Sequence, residues 1–441
     1  MEPRVWLIVF TVLPTLQAHG NQECNGCCKL PEDPMSHDPR LEVIYEFQDQ
    51  FPTGFAMTPC GRKFASYPSS FDPLNTNDGC NGKYAVAELT DCEELPYPNR
   101  CMNNPYGGVI NYSTCPPTTK GLRHHFISVI TIVYIKELNL LFCLDTARAR
   151  DCKQILYQAS SGGTKVVAIN VCNNCVSRIY YFDEIAKPTS YFRGLAVDPK
   201  KNVAYIVDGL ESKIIVLDLC TGKSYIAFQG DESLLPTPGF LPVTFGQPLY
   251  TAGNSTQGNT VVGPISFGPI VVTISPDGTL LYYAQLSGRF LYSVCTKALL
   301  DNLPSTEVAK TVRSHGEKGV SFGILCDQRG RVWSGCGEND GITVFNPNCP
   351  FGKTFLYIRD PRLNWPFSFI EPGDGYIYFI INSISGLTLN YPGTGLPFVD
   401  RREKPYVVFR FKSPCESLWI TQNLLLSIVY ITPDILDDCD E

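Results

Sequence analysis

Charge is scarce in this 441-residue chain. Only 18% of residues are charged while 44% are apolar, so a core can be buried and disorder is excluded. There is no basic surplus. The 36 Lys and Arg are outnumbered by 43 Asp and Glu, and the net charge of −7 excludes the basic footprint of a nucleic-acid binder. Long hydrophobic runs are missing too. Val5 to Leu16 is too short for a bilayer that needs about 20 residues. Ser417 to Ile431 is broken by Thr421, Gln422 and Asn423 and leads into the acidic Asp434 to Glu441, so no membrane insertion is expected. Histidine is rare, with five residues. No Gly-x-Ser-x-Gly elbow, His-Glu-x-x-His, phosphate-cradling glycine loop or EF-hand is present. That leans away from an enzyme and from a resident metal. His124, His125 and His315 are candidate bases, although a lone histidine is more often structural, and His19 sits at the end of the apolar leader.

What the chain does have is cysteine, 19 in all, with 23 Tyr, 25 Phe, 36 Gly and 34 Pro, a mix that favours strands and turns. Met1 to Arg4 carries one basic charge, an apolar run follows, and Leu16-Gln17-Ala18 offers a small residue for cleavage. Residues 1–18 therefore read as a secretory signal, and disulfides become the default for the thiols. Cys24 with Cys27, followed by Cys28, and Cys172 with Cys175 form CxxC pairs, but they lie far apart in an oxidising route, which argues against zinc. Cys80, Cys92, Cys101 and Cys115 crowd a stretch rich in Asn, Pro and Gly and are expected to staple a surface insertion. An odd number of thiols leaves at least one free or paired with another molecule, and Cys439 is the simplest candidate for a disulfide-linked partner. Asn111 and Asn254 open glycosylation acceptors in turn-rich stretches.

A hairpin pattern repeats along the middle of the chain. The copies are Thr53 to Ser66, a degenerate Phe126 to Asp145, Arg193 to Asp208, Pro269 to Tyr283, Ser321 to Trp333 and Phe367 to Phe379. Pro-Asp-Gly at 276–278 and Gly-Asp-Gly at 373–375 supply the positive φ that hairpin turns demand. The intervals exceed the roughly 40–45 residues of a four-stranded blade and leave room for insertions. Six hairpins, each with space for two more strands, predict an all-β, six-bladed β-propeller of four-stranded blades with disulfide-stapled insertions. Lys213 to Tyr225 shows the second hairpin of a blade. Leu41 to Phe47 is expected to pair into the last blade and close the ring. The organisation is then 1–18 signal, 19–40 Cys-rich segment, 41–412 propeller and 413–441 tail.

Five segments carry a resemblance. They are Phe51 to Ala56 with Gly61 to Pro68, Leu144-Asp-Thr146, Ala204 to Asp208 with Ile215 to Asp218, Ser275 to Tyr283, and Leu286-Ser-Gly-Arg-Phe-Leu-Tyr-Ser-Val-Cys-Thr296. In this order they resemble the yellow and major royal jelly protein family over roughly Leu41 to Phe411. The resemblance implies a secreted, extracellular six-bladed propeller. Two departures stand out. Ala147 replaces the glycine of a family Leu-Asp-Thr-Gly, and the thiol count is high.

The expected site is the axial channel, where concave openings gather polar groups from several elements. The second strands of the copies end near Asp145, Asp208, Gln285, Cys336 and Asn382. These side chains either cap turns or form a ring of acceptors at one mouth. Asp340 replaces a family asparagine in a segment associated with channel ligands, and a carboxylate there favours a cationic amine. Phe345 could stack on a ring or hold a cation. Some family members bind biogenic amines, so the resemblance implies a small-molecule binder. The alternative is an extracellular enzyme of the dopachrome-conversion or metal-dependent lactonase type. Similar propellers include calcium-dependent lactonases, which makes calcium the one cofactor admitted beside none at all.

Overall fold

A computed structural model describes residues 37–91, 93–244, 247–254, 260–348, 354–387 and 400–414. The leader, the Cys24–Cys28 cluster, Cys92, Cys439 and the tail lie outside the described residues. Six four-stranded antiparallel sheets are present. In chain order they are blade 1 (54–96), blade 2 (129–181), blade 3 (192–229), blade 4 (269–317), blade 5 (324–359) and blade 6 (366–412 with 42–47). Each innermost strand packs against those of two neighbours, and that of blade 6 meets that of blade 1, so the sheets close into a ring.

The turns explain the repeat. Every hairpin between the first and second strand of a blade holds a residue at positive φ: Gly61, Asn139, Asn202, Gly278, Gly330 and, in blade 6, both Gly373 and Gly375. At Gly278, φ is +71° and an added Cβ would meet the Asp198 carboxylate at 2.8 Å, so glycine is required on two counts. The second and third strands of blade 3 are nearly continuous apolar runs. Val203–Asp208 and Lys213–Asp218 are buried on both faces, as a blade sandwiched between neighbours demands.

Ring closure follows the sequence reading. Glu42–Phe47 pairs antiparallel with Tyr406–Lys412 at the outer edge of blade 6, so the blade takes one strand from before blade 1. Phe47 is fully buried and its ring meets Tyr67 of blade 1 edge-on at 6.2 Å.

The stapling expectation is corrected. The twelve cysteines among the described residues are all unpaired, and Cys80, Cys101 and Cys115 are exposed. Buried amides hold the insertion instead. Asn103 donates to the Tyr97 carbonyl at 2.8 Å and accepts from the Ala85 and Val86 amides at 3.0 Å each. Asn77 donates to the Lys83 carbonyl at 2.6 Å and to Asn104 Oδ1 at 3.0 Å. A side chain with donors and an acceptor can tie two loops to a strand without a cross-link. Among the described residues no helix is long and apolar enough to cross a membrane.

Candidate functional site

All six innermost strands are edge strands, each paired on one side only. Their free edges turn toward the axis, where they bound a cavity of about 500 Å³. It runs from the starts of these strands, at Thr53, Arg193 and Phe322, to the turns that follow them, at Glu137, Lys200, Pro276, Gln328 and Glu371. Unpaired strand edges leave backbone amides and carbonyls without ladder partners, so the wall is polar between its apolar side chains.

Three features give this space a chemical character. Aromatic rings from two blades, Phe322 and Phe367, line it and lie 6.1 Å apart, nearly parallel. Glu371 is half-buried at the turn end and accepts the Gln328 amide at 2.9 Å, while burial raises its pKa above the ordinary value. At the other end lies Arg193, 3% exposed, with Nη2 bonded to nothing. Its guanidinium carbon sits 4.8 Å from the Phe71 ring centroid, 5.4 Å from Phe322 and 5.3 Å from Phe367.

The sequence candidates occupy other places. None of Asp145, Asp208, Gln285, Asn382, Asp340 and Phe345 lines this cavity. Asp145 accepts from the Ile127, Ser128 and Ala147 amides at 2.8–2.9 Å and pairs with buried Lys165 at 3.2 Å. Asp208 does the same for Tyr191, Leu210 and Glu211, with Lys213 at 3.7 Å. Gln285 donates to the Glu232 and Leu235 carbonyls, and Asn382 donates to the Pro52 carbonyl at 2.8 Å. These four tie the end of a second strand to a neighbouring loop. They are the turn caps of the two readings above, although Asp208 Oδ2, Gln285 Oε1 and Asn382 Oδ1 remain without a partner.

Asp340 occupies a turn of blade 5 at φ +47°, with Oδ1 buried and unbonded. Burial raises its pKa, opposed by the charge of Arg359. Phe345 is buried against His315, centroids 4.8 Å apart, and His315 bonds Ser293 Oγ at 2.8 Å. Burial lowers the pKa of His315 and of His125, and neither lines the cavity. Asn111 carries its sequon on an exposed turn, where Oδ1 accepts from Ser113. Asn254 ends a strand, Tyr250–Asn254, in the connection between blades 3 and 4. Among the described residues no group of three or more His, Cys, Asp or Glu side chains could hold a metal. Arg193 and Glu371 were missed by the sequence reading. The available signal was a cation opening the third copy where the first, fourth, fifth and sixth begin with Thr53, Pro269, Ser321 and Phe367.

The major royal jelly protein family matches residues 127–360, more than half of the chain. The chain belongs to that family. Blades 2 to 5 thus hold the matched part, and the ring they begin is completed by blades 1 and 6 outside it. No curated protein matches this family member. Among solved structures, a streptogramin B lyase is similar at 11% identity, covering 84% of this chain and 98% of that one, with a TM-score of 0.42. A virginiamycin B lyase from Staphylococcus aureus has the same values. A protein of unknown function from Bacteroides thetaiotaomicron is similar at 10% identity, over 86% of this chain and 74% of that one, with a TM-score of 0.45.

Proposed function

We propose that this family member is a secreted binding protein that holds a small aromatic amine, or a related aromatic metabolite, in the axial cavity. One observation carries the reading. A space of about 500 Å³, within the range of small-molecule sites, combines aromatic rings with a half-buried carboxyl at Glu371. An ammonium group is attracted both by a carboxylate and by the face of a ring, and an aromatic body stacks on Phe322 and Phe367. Secretion is supported by the leader chemistry of residues 1–18 and by the family. The N-terminus of protein recovered from culture medium is expected at or near His19, and a mature chain beginning at Met1 would contradict it.

Calorimetric titration with serotonin, dopamine and calcium tests the binding. Saturable heat is expected from at least one amine. Glu371→Gln is expected to weaken it about tenfold, the worth of one hydrogen bond to a charged group. Asp340→Ala, outside the cavity, is expected to leave it unchanged. No heat with either amine would overturn the reading as stated.

A further inference from the structure

Six basic side chains are buried among the described residues: Arg148, Lys165, Arg193, Lys213, Lys318 and Arg331. Five of them have oxygen partners. Lys165 and Lys213 meet carboxylates, Arg331 donates to Asp327 at 2.7 Å, Arg148 donates to the Tyr157 and Thr189 carbonyls, and Lys318 to the Gly319 carbonyl. Arg193 is the exception. Among the described residues it makes no ion pair, Nη2 has no hydrogen bond, and three aromatic rings lie within 5.4 Å of the guanidinium carbon.

A buried cation without an anion is expensive, and ring faces recover only part of the loss. Burial accordingly pushes the Arg193 pKa down to about 10. The neighbourhood adds to the positive field. Beyond Arg193 lies a second, smaller cavity of about 50 Å³, which Arg193 and Phe322 share with the first and which Arg150 also lines. Arg150 donates to the Ser70 and Gln154 carbonyls, which are neutral. Its pKa is lowered to about 10 by burial, with the charge of Arg148 pushing the same way. A chain with a net charge of −7 thus sets two arginines, Arg150 and Arg193, on the smaller cavity, and neither has a carboxylate partner among the described residues.

From the unpartnered guanidinium between the two cavities we infer that the channel has an anion subsite at Arg193, built for the carboxylate of a small aromatic ligand. It rests on the reading that a ligand fills the channel, and adds which charge that ligand presents at the inner end. The fork of guanidinium N–H donors suits a planar carboxylate, and the collar of Phe71, Phe322 and Phe367 suits the ring that carries it. The smaller cavity has room for little more than one water-sized group, so the bulk of the ligand lies on the larger side.

The test uses the full secreted chain and a matched pair of probes, indole-3-acetate and tryptamine, which share a ring and differ in charge. Wild-type protein is expected to bind indole-3-acetate. Arg193→Met is expected to weaken the acid at least tenfold and to leave tryptamine within about twofold. Arg193→Lys keeps the charge without the fork and is expected to fall between. Tryptamine bound without measurable indole-3-acetate binding at millimolar concentration overturns the anion subsite and leaves the amine reading standing. The acid bound without any amine supports the subsite and overturns the amine reading. An acid affinity unchanged in both Arg193 variants also overturns the subsite. The wild-type comparison decides even where a variant does not fold.

Discussion

Deleting Glu42–Phe47 is expected to abolish cooperative unfolding and to leave an aggregating chain. The strand supplies the outer edge of blade 6 by pairing with Tyr406–Lys412. Without it that edge is a row of open backbone groups, a template for intermolecular pairing. The loss also removes Phe47, fully buried beside Tyr45 and Tyr67 at 4.9 Å and 6.2 Å. Phe47→Ala alone is expected to cost about 3–5 kcal/mol. That is already a large share of the roughly 5–15 kcal/mol that holds a domain folded. Thermal unfolding followed by circular dichroism checks both variants. A deletion that melts like the wild type would show that the ring does not need this strand.

Asp327→Ala is expected to destabilise by about 3–5 kcal/mol, because it strands a buried cation. Asp327 is fully buried at the turn of blade 5. One oxygen accepts the Arg329 and Arg331 amides at 2.9 Å, and the other takes Arg331 Nε at 2.7 Å and the Trp333 indole N–H at 2.8 Å. Alanine leaves Arg331 Nε, an indole N–H and two turn amides without their acceptor, and the guanidinium keeps only the neutral Pro414 carbonyl and Ser413 hydroxyl. Glu307→Ala, which removes an exposed partner of Lys310, is expected to change stability little. Denaturant unfolding of the two variants side by side separates the cases. Equal midpoints would refute the special role of Asp327.

The blades were legible because their turns have few chemical solutions. Positive φ calls for Gly or Asn, and such a residue recurs between alternating strands from Gly61 to Gly375. Glu42–Phe47 was readable as the closing strand because an isolated apolar strand before the first copy has only an open edge to pair with. The equivalent positions of Asp145, Asp208, Gln285 and Asn382 were also visible, but equivalence does not tell a cap from a ligand. The answer lay in whether loop amides point at them, and for Asp145 three do. The cavity itself was hidden. Its wall is assembled from six strands far apart in sequence, and no local pattern marks which side chains meet at the axis. Arg193 was on the page as the first residue of a repeat. Only the closed ring of blades brings Phe71, Phe322 and Phe367 around it and leaves its Nη2 without a hydrogen bond among the described residues. No disulfide is seen over the insertion among the described residues, and Asn77 and Asn103 tie those loops with buried amides.

The most direct test of the account is a crystal structure of the protein grown with a saturating aromatic amine. Ligand density is predicted on the axis, between Thr131, Phe322 and Phe367, with its amino group toward Glu371. Density confined to the outer surface, or an axial cavity filled only by water, would contradict it.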